Sequence, residues 1–105
     1  MPGRRIAMIA VVALAAFGAP VRAATIEISM ENLEIRPAEV PAKVGDTVEW
    51  TNKDVLAHTA TAHNGDFDVM LPPKKNGSTV LKKAGTVEYY CKFHPNMKAT
   101  LKVEP

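Results

Sequence analysis

The chain contains very little cysteine: Cys91 is the one thiol among 105 residues. A single cysteine cannot form an internal disulfide, so the disulfide framework common in small exported domains is excluded. Covalent haem attachment is excluded as well, because it needs two thiols in a Cys-x2-Cys-His pattern. Cys91 is therefore a free thiol, one half of an intermolecular bridge, or a metal ligand.

Long hydrophobic runs are also missing, except near the N-terminus. Residues 6–20, IAMIAVVALAAFGAP, are uncharged and apolar, but they are fewer than the ~20 that a membrane-spanning helix needs. They follow the basic start MPGRR and precede Val21-Arg22-Ala23, which is the layout of a secretory signal cleaved after Ala23. We expect residues 1–23 to be a signal peptide. Arg4-Arg5 leaves twin-arginine export open as an alternative to the general secretory route.

The location expected for the mature domain, residues 24–105, is therefore the periplasm. No cysteine lies at the cleavage region to carry a lipid, so no membrane anchor is expected. The mature domain also lacks a strong net charge, since it has 10 Lys or Arg against 11 Asp or Glu, a formal net charge of −1. Nothing in this balance indicates nucleic-acid binding.

The charges are unevenly distributed along the mature chain. Residues 24–70 hold nine acidic and three basic residues, whereas residues 71–105 hold two acidic residues and seven lysines. Six of these lysines could form a docking patch for an acidic partner, or they could simply solvate exposed strands. They are Lys74, Lys75, Lys82, Lys83, Lys92 and Lys98.

Short alternating segments predict an all-β domain. Ile26 and Ile28, for example, alternate with polar neighbours, which is the period of a half-buried strand. Turn signals such as Asn64-Gly65 separate the segments, and no stretch of the mature chain has helical periodicity. Seven or eight short strands at this spacing indicate one β-sandwich or barrel. The predicted strands lie within residues 25–30, 33–35, 47–50, 58–62, 67–71, 78–83, 86–91 and 98–104.

The segment CKFHPNM places Cys91, His94 and Met97 in a short loop between the last two predicted strands. Such a loop has to reverse the chain, so the three side chains can gather around one point. His58 and His63 remain as sources of a fourth ligand. One thiolate, two imidazoles and a weak thioether suit blue copper, whereas tetrahedral zinc more often recruits further cysteines or carboxylates.

Two segments resemble the plastocyanin/azurin family of cupredoxins: VEWTNKDVLAHTAT, residues 48–61, and YYCKFHPNM, residues 89–97. The short Cys-x2-His-x2-Met spacing is similar to that of the amicyanins within this family. The resemblance implies a Greek-key β-sandwich of the cupredoxin type and one copper ion, Cu(I) or Cu(II), in a type 1 site. The family has its upstream histidine eight residues after a tryptophan, which points to His58 after Trp50.

By this resemblance the ligands are His58, Cys91, His94 and Met97, with Met97 as the long axial ligand. His63 has no counterpart among the ligands, and we expect it on the surface. The family often has asparagine directly after the upstream histidine, where it ties the two ligand segments together by hydrogen bonds. Thr59 stands there in this chain. That link is therefore expected to be weaker or differently made.

The resemblance implies a mobile one-electron carrier, not an enzyme, that meets transient redox protein partners as a monomer. The His94 ring edge is expected at the surface as the electron port, and Leu56, Phe93 and Pro95 are expected to form an apolar collar around it. Lys92 and Lys98 should lie near its rim.

Other functions compete with this interpretation. A periplasmic protein for copper buffering, delivery or resistance would use the same ligands. A metal-free interaction domain is a third reading. A nucleophilic Cys91–His58 pair would leave Met97 unexplained. A multicopper oxidase would need more histidines than the three present.

Overall fold

The computed structural model describes residues 23–105, so the predicted signal peptide lies outside the described residues apart from Ala23. Within this range the chain forms nine strands and no helix, and hence no helix that could cross a membrane. The strands are β1 (Thr25–Glu31), β2 (Glu34–Arg36), β3 (Glu39–Lys43), β4 (Thr47–Asn52), β5 (His58–Ala62), β6 (Asp68–Leu71), β7 (Asn76–Val80), β8 (Gly85–Tyr90) and β9 (Lys98–Glu104).

The nine strands form two sheets, in the orders β2-β1-β4-β7 and β3-β9-β8-β5-β6. The pairs β1–β4 and β3–β9 are parallel, and the other neighbours are antiparallel. The all-β prediction is confirmed, with one strand more than expected. The chain crosses between the sheets after β2, and Glu39–Lys43 then pairs with β9 as the additional strand.

The core lies between the two sheets, where alternate residues of each strand point inward. In β4, Val48 and Trp50 are fully buried while their neighbours are partly exposed. The Trp50 ring packs against Phe67 and Tyr89, and its Nε1–H donates to the Tyr89 hydroxyl at 3.1 Å. Burial raises the pKa of Tyr89 to about 12. This hydrogen bond satisfies the polar ends of two large rings inside the core.

Strand β7 begins earlier than predicted, because Asn76-Gly77 continues the strand instead of breaking it. Gly77 pairs with Trp50 across the β4–β7 ladder. A Cβ atom built on Gly77 would lie 2.6 Å from Val69 Cγ1 and 2.8 Å from Leu71 Cδ2. Glycine is present here because strand β6 approaches the backbone closely, not because the chain turns.

We predict that Gly77→Ala destabilises the protein by about 1–3 kcal/mol, since the added methyl group must displace a stiff β-branched side chain. Urea unfolding of the variant and of the wild type measures the difference. Ser78→Ala, on the exposed neighbouring position, is the matched control and should change stability little. A Gly77→Ala variant as stable as the wild type would contradict the close approach.

Candidate metal centre

His58, Cys91 and His94 come together at the end of the sandwich where β8 ends. The Cys91 Sγ atom lies 3.7 Å from His58 Nδ1 and 3.8 Å from His94 Nδ1. The three donor atoms all lie within 4.8 Å of one another. The two imidazole rings stand nearly perpendicular, with centroids 5.2 Å apart. His58 and Cys91 are completely buried, whereas His94 is partly exposed.

The loop of residues 91–97 owes its shape to two successive tight turns. The His94 N–H donates to the Cys91 carbonyl at 3.2 Å, and the Met97 N–H donates to the His94 carbonyl at 2.9 Å. The Cys91 N–H closes the loop on the Met97 carbonyl at 3.0 Å. Each ligand candidate thus stands at the first or last position of a four-residue turn, which explains the spacing of three residues. Met97 is buried, with 2% exposure, at the junction with β9.

His58 is oriented by Asp54, four residues earlier in the β4–β5 loop. The ring nitrogen Nε2 lies 2.8 Å from Asp54 Oδ2. When Nε2 donates its proton to this carboxylate, the lone pair is left on Nδ1, the nitrogen that faces the Cys91 sulfur. A carboxylate behind a ligating histidine in this way fixes the tautomer and the orientation of the ring.

The Asp54 carboxylate also receives the backbone of the β1–β2 turn. The N–H groups of Asn32 and Leu33 donate to it at 2.8 and 3.1 Å, and both residues adopt left-handed conformations with φ of 55° and 61°. Burial raises the pKa of the Asp54 carboxyl, but the hydrogen bonds from His58 and from the turn outweigh burial and lower it overall. The carboxylate is therefore kept ionised by three groups from two separate segments, the β1–β2 turn and β5.

Thr59 links the two ligand-bearing segments. Its N–H donates to Cys91 Sγ at 3.4 Å, and its hydroxyl oxygen accepts the Lys92 N–H at 2.9 Å. The link that was expected to be weaker or differently made is made differently, because the threonine hydroxyl accepts a peptide proton directly. The backbone and the side chain of one residue both reach the loop that carries Cys91.

The Thr59 hydroxyl continues into a closed ring of hydrogen bonds. It lies 2.8 Å from Thr61 Oγ1, and the Thr61 hydroxyl donates to Asp68 Oδ1 at 2.9 Å. Since the Thr61 proton is used on Asp68, the Thr59 proton is the one shared between the two threonines. The Lys92 ammonium donates to Asp68 Oδ2 at 2.9 Å. This bond closes the ring, because the backbone N–H of the same lysine donates to the Thr59 hydroxyl.

The remaining predicted residues lie as follows. His63 is exposed just after β5 and takes no part in the cluster. Its ring stacks on that of Tyr90, with the two ring centroids 4.4 Å apart. Leu56 and Phe93 are exposed by 49% and 51%, and Pro95 is exposed as well. Val55, exposed by 75%, is a further apolar residue of the same loop as Leu56 that the sequence did not single out.

The six lysines considered as one docking patch are divided between two ends of the sandwich. Lys75 lies at the metal-centre end, since its carbonyl accepts the Asn52 N–H at 3.0 Å. Lys82 and Lys83 precede β8, whereas Cys91 follows it, so the length of that strand, about 20 Å, separates them from the cluster. A single lysine patch is therefore not formed.

The donor distances fit a metal ion. Bonds of about 2.3 Å to sulfur and 2.0 Å to nitrogen, about 120° apart, separate the two donors by about 3.7 Å. The observed separations of 3.7 and 3.8 Å match that value. A buried thiol with two imidazoles is the trigonal set typical of blue copper, and the three side chains are positioned as a copper site.

A two-sheet β-sandwich with a His-Cys-His cluster at one end defines a cupredoxin-type domain. The family model for the cupredoxin-like domain matches residues 4–103, and the chain belongs to this family.

Among its relatives is the methylamine utilization protein MauL of Methylorubrum extorquens, 31% identical over 87 residues, which cover 79% of this chain and 76% of that protein. Amicyanin-alpha of the same organism is 32% identical over 88 residues, covering 78% and 74%. The crystal structure of amicyanin from Paracoccus versutus superimposes with a TM-score of 0.66 at 27% identity, covering 85% of this chain and 88% of that one.

Sequence reasoning missed the residues that support the cluster, namely Asp54, Thr61 and Asp68. A carboxylate four residues before His58 was the one available signal for Asp54. The contacts of Thr61 and Asp68 depend on the β5–β6 ladder, which pairs these two residues. Nothing in the sequence alone distinguishes them from other exposed polar residues.

We predict that Thr59→Val destabilises the protein by about 1–3 kcal/mol, because the partly buried Lys92 N–H loses its acceptor while the volume is kept. Urea unfolding measures the loss. Thr59→Ser, which retains the hydroxyl, is the matched control and should recover most of it. If the valine and serine variants were equally stable, the hydroxyl would not hold the loop.

Proposed function

We propose that this protein is an exported type 1 copper protein that carries single electrons between redox protein partners in the periplasm. The observation that carries the proposal is the buried Cys91 thiol with two imidazole nitrogens at 3.7 and 3.8 Å. The similarity to amicyanins and to MauL supports it. The role proposed is carriage of electrons, not catalysis.

Bound copper would supply a one-electron couple, Cu(I)/Cu(II), held by His58, Cys91 and His94 with Met97 as the axial ligand. The chain itself keeps the donors in place. His58 is fixed by Asp54, Cys91 by the N–H of Thr59, and His94 by the turn that begins at Cys91. Donors that are already positioned change little when the charge of the site changes, which favours rapid electron exchange.

His94 is the proposed electron port. It is the one partly exposed member of the cluster, and exposed Leu56 and Phe93 come from the two loops that carry the ligands. Together with Val55 and Pro95 they would form an apolar collar for a partner. A surface of this kind suits the small, short-lived interfaces of redox encounters.

The partner's surface is proposed to be apolar at its centre and acidic at its rim. Lys53, Lys74 and Lys75 lie on or beside the β4–β5 loop, where Lys74 Nζ donates to the Lys53 carbonyl at 2.6 Å. Lys92 lies in the ligand loop itself. Because the Lys92 ammonium is paired with Asp68, the charges of Lys53, Lys74 and Lys75 are the ones that would speed the encounter with an acidic partner, and the rate should fall as salt is added. We propose that the carrier works as a monomer.

We predict that Cu(II) added to the metal-free protein gives an intense visible absorption that is absent in Cys91→Ser. The absorption requires the Cys91 thiolate. Serine keeps the size of the side chain but not the sulfur donor, so the variant should lose the absorption. His58→Gly should also lose the original spectrum, whereas His63→Gly, which removes the histidine outside the cluster, should keep it. A wild-type protein that stays colourless would overturn the copper proposal.

We predict that His94→Gly binds copper when imidazole is added, because a free imidazole can enter from the exposed side. Without imidazole, electron self-exchange should be at least about tenfold slower than in the wild type, since the ligand that reaches the surface is gone. His63→Gly is the control and should exchange electrons at the wild-type rate. Wild-type self-exchange in His94→Gly without imidazole would rule out His94 as the port. Slow self-exchange in the wild type, with copper transfer to a metal-free acceptor, would favour copper delivery instead.

A further inference from the structure

The start of the mature domain lies against a buried carboxylate at the end of the sandwich away from the metal centre. The Ala24 N–H donates to Asp46 Oδ1 at 2.9 Å, and the Ala24 carbonyl accepts the Thr47 N–H at 2.9 Å. Ala24 is thereby held on both sides immediately before β1 begins, at the point where β1 starts its parallel pairing with β4.

Asp46 is held firmly in the β3–β4 turn. The residue is 7% exposed, and its second carboxylate oxygen accepts the Lys43 N–H at 2.9 Å. Its own backbone is fixed too, because its carbonyl accepts the Leu81 N–H at 2.8 Å and its N–H donates to the Lys43 carbonyl at 3.0 Å. The hydrogen bonds from Ala24 and Lys43 hold the pKa of the Asp46 carboxyl below its usual value, so the group is an anion at neutral pH.

This anion has no cationic partner among residues 23–105: no Lys, Arg or His nitrogen of that range lies within 4.0 Å of it. Two peptide N–H groups stabilise it instead, and the more distant charge of Lys43 adds a smaller contribution. Buried carboxylates are normally paired with a cation as well as hydrogen-bonded. A positive charge at the Ala24 nitrogen would complete the site.

We propose that the Ala23–Ala24 peptide bond is a proteolytic processing site and that the α-ammonium group created on Ala24 binds the Asp46 carboxylate. The proposal rests on the export proposed above. Val21 and Ala23 supply the small side chains that signal peptidases accept at the third and first positions before the cleaved bond. Hydrolysis consumes one water molecule, whose hydroxyl goes to the Ala23 carbonyl carbon and whose proton goes to the Ala24 nitrogen. At neutral pH the new carboxyl loses a proton and the new amine gains one.

The geometry selects this bond over its neighbours. Cleavage before Ala23 would leave the Ala24 nitrogen as an uncharged amide with one proton, as it is in the uncleaved chain. Cleavage after Ala24 would remove the donor and leave the Asp46 anion with one hydrogen bond fewer. Cleavage after Ala23 replaces one amide proton by an ammonium group with three, already 2.9 Å from the anion. A charge-assisted hydrogen bond is about twice as strong as a neutral one, so processing stabilises the domain it releases.

The first test identifies the processed bond. The full-length chain is expressed in a bacterium that exports it, and the product is purified from the periplasm and weighed by intact mass spectrometry. The expected mass is that of residues 24–105. A product that keeps residues 1–23 would overturn both this inference and the export proposed above. A product cut at a different bond would overturn the inference and leave export standing.

The second test asks whether the ammonium group binds Asp46. The α-amine of the purified product is acetylated selectively, at mildly acidic pH where the lysines stay protonated, and urea unfolding is compared before and after. Acetylation should raise the unfolding equilibrium constant about three- to tenfold in the wild type. It should have much less effect in Asp46→Asn. Ala24, Asp46 and Glu104 line one recess on the surface. Glu104→Gln, which removes the other carboxylate of that recess, is the control and should respond to acetylation as the wild type does.

Equal effects of acetylation in the wild type and in Asp46→Asn would overturn the pairing. If Asp46→Asn does not fold, the comparison of the wild type before and after acetylation still tests the pairing. An unfolding midpoint that acetylation leaves unchanged would show that the Ala24 amine has no bound partner in the folded domain.

Discussion

Two hydrogen bonds at Thr59 hold together the segments on which the metal centre depends. His58 and Cys91 are 33 residues apart, and they reach one point because β5 and β8 lie side by side in one sheet. The sheet and the two turns shape the loop after Cys91, but they do not tie it to β5. The Thr59 N–H to the sulfur and the Lys92 N–H to the Thr59 hydroxyl fix that loop against β5. Thr59 can join the two ligand segments because its backbone N–H and its side-chain hydroxyl both reach the loop that begins at Cys91.

Hydrogen bonds of the chain itself hold the cluster in place. Every buried side-chain nitrogen and oxygen atom of residues 23–105 has a hydrogen-bond partner. Asn52 illustrates how: its amide donates to the carbonyls of Leu56, Leu71 and Pro72, which binds the β4–β5 loop to the end of β6. The Asn52 side-chain oxygen accepts the Asp54 N–H and so positions the carboxylate that holds His58. Asn52 at the end of β4 thus holds the β4–β5 loop and Asp54, and the Asp54 carboxylate holds His58. Each of these steps is a directional hydrogen bond.

The sequence predicts the parts of this arrangement that are local and misses those that cross between strands. The bounds of His58–Ala62 and Lys98–Glu104 agree with the structure because alternation and flanking loops mark them. The pairing of Cys91 with His94 could be predicted, since a thiol and a histidine three residues apart share one turn. His58 was added to them by the resemblance of residues 48–61 to the cupredoxins, since spacing alone left His63 open as well. The misses also have a common physical cause. The start of β7 was wrong because Gly77 resembles a turn residue until the position of Val69 is known. Asp54 and Asp68 were missed because a loop carboxylate has many conceivable partners, and only the folded chain selects one. The link at Thr59, expected to be weaker or differently made, is made differently, because a hydroxyl can replace an amide where the backbone comes close enough.

The shortness of the ligand loop also accounts for the exposure of His94. Two turns of the i to i+3 kind use every residue between Cys91 and Met97, so no residue is left to fold over the imidazole. The four intervening residues, Lys92, Phe93, Pro95 and Asn96, are all exposed. Cys91 and Met97, at the two ends of the loop, are buried in the sandwich. His94, at the middle of the loop, is therefore the outermost donor. The same spacing that brings the donors together thus places one of them at the surface.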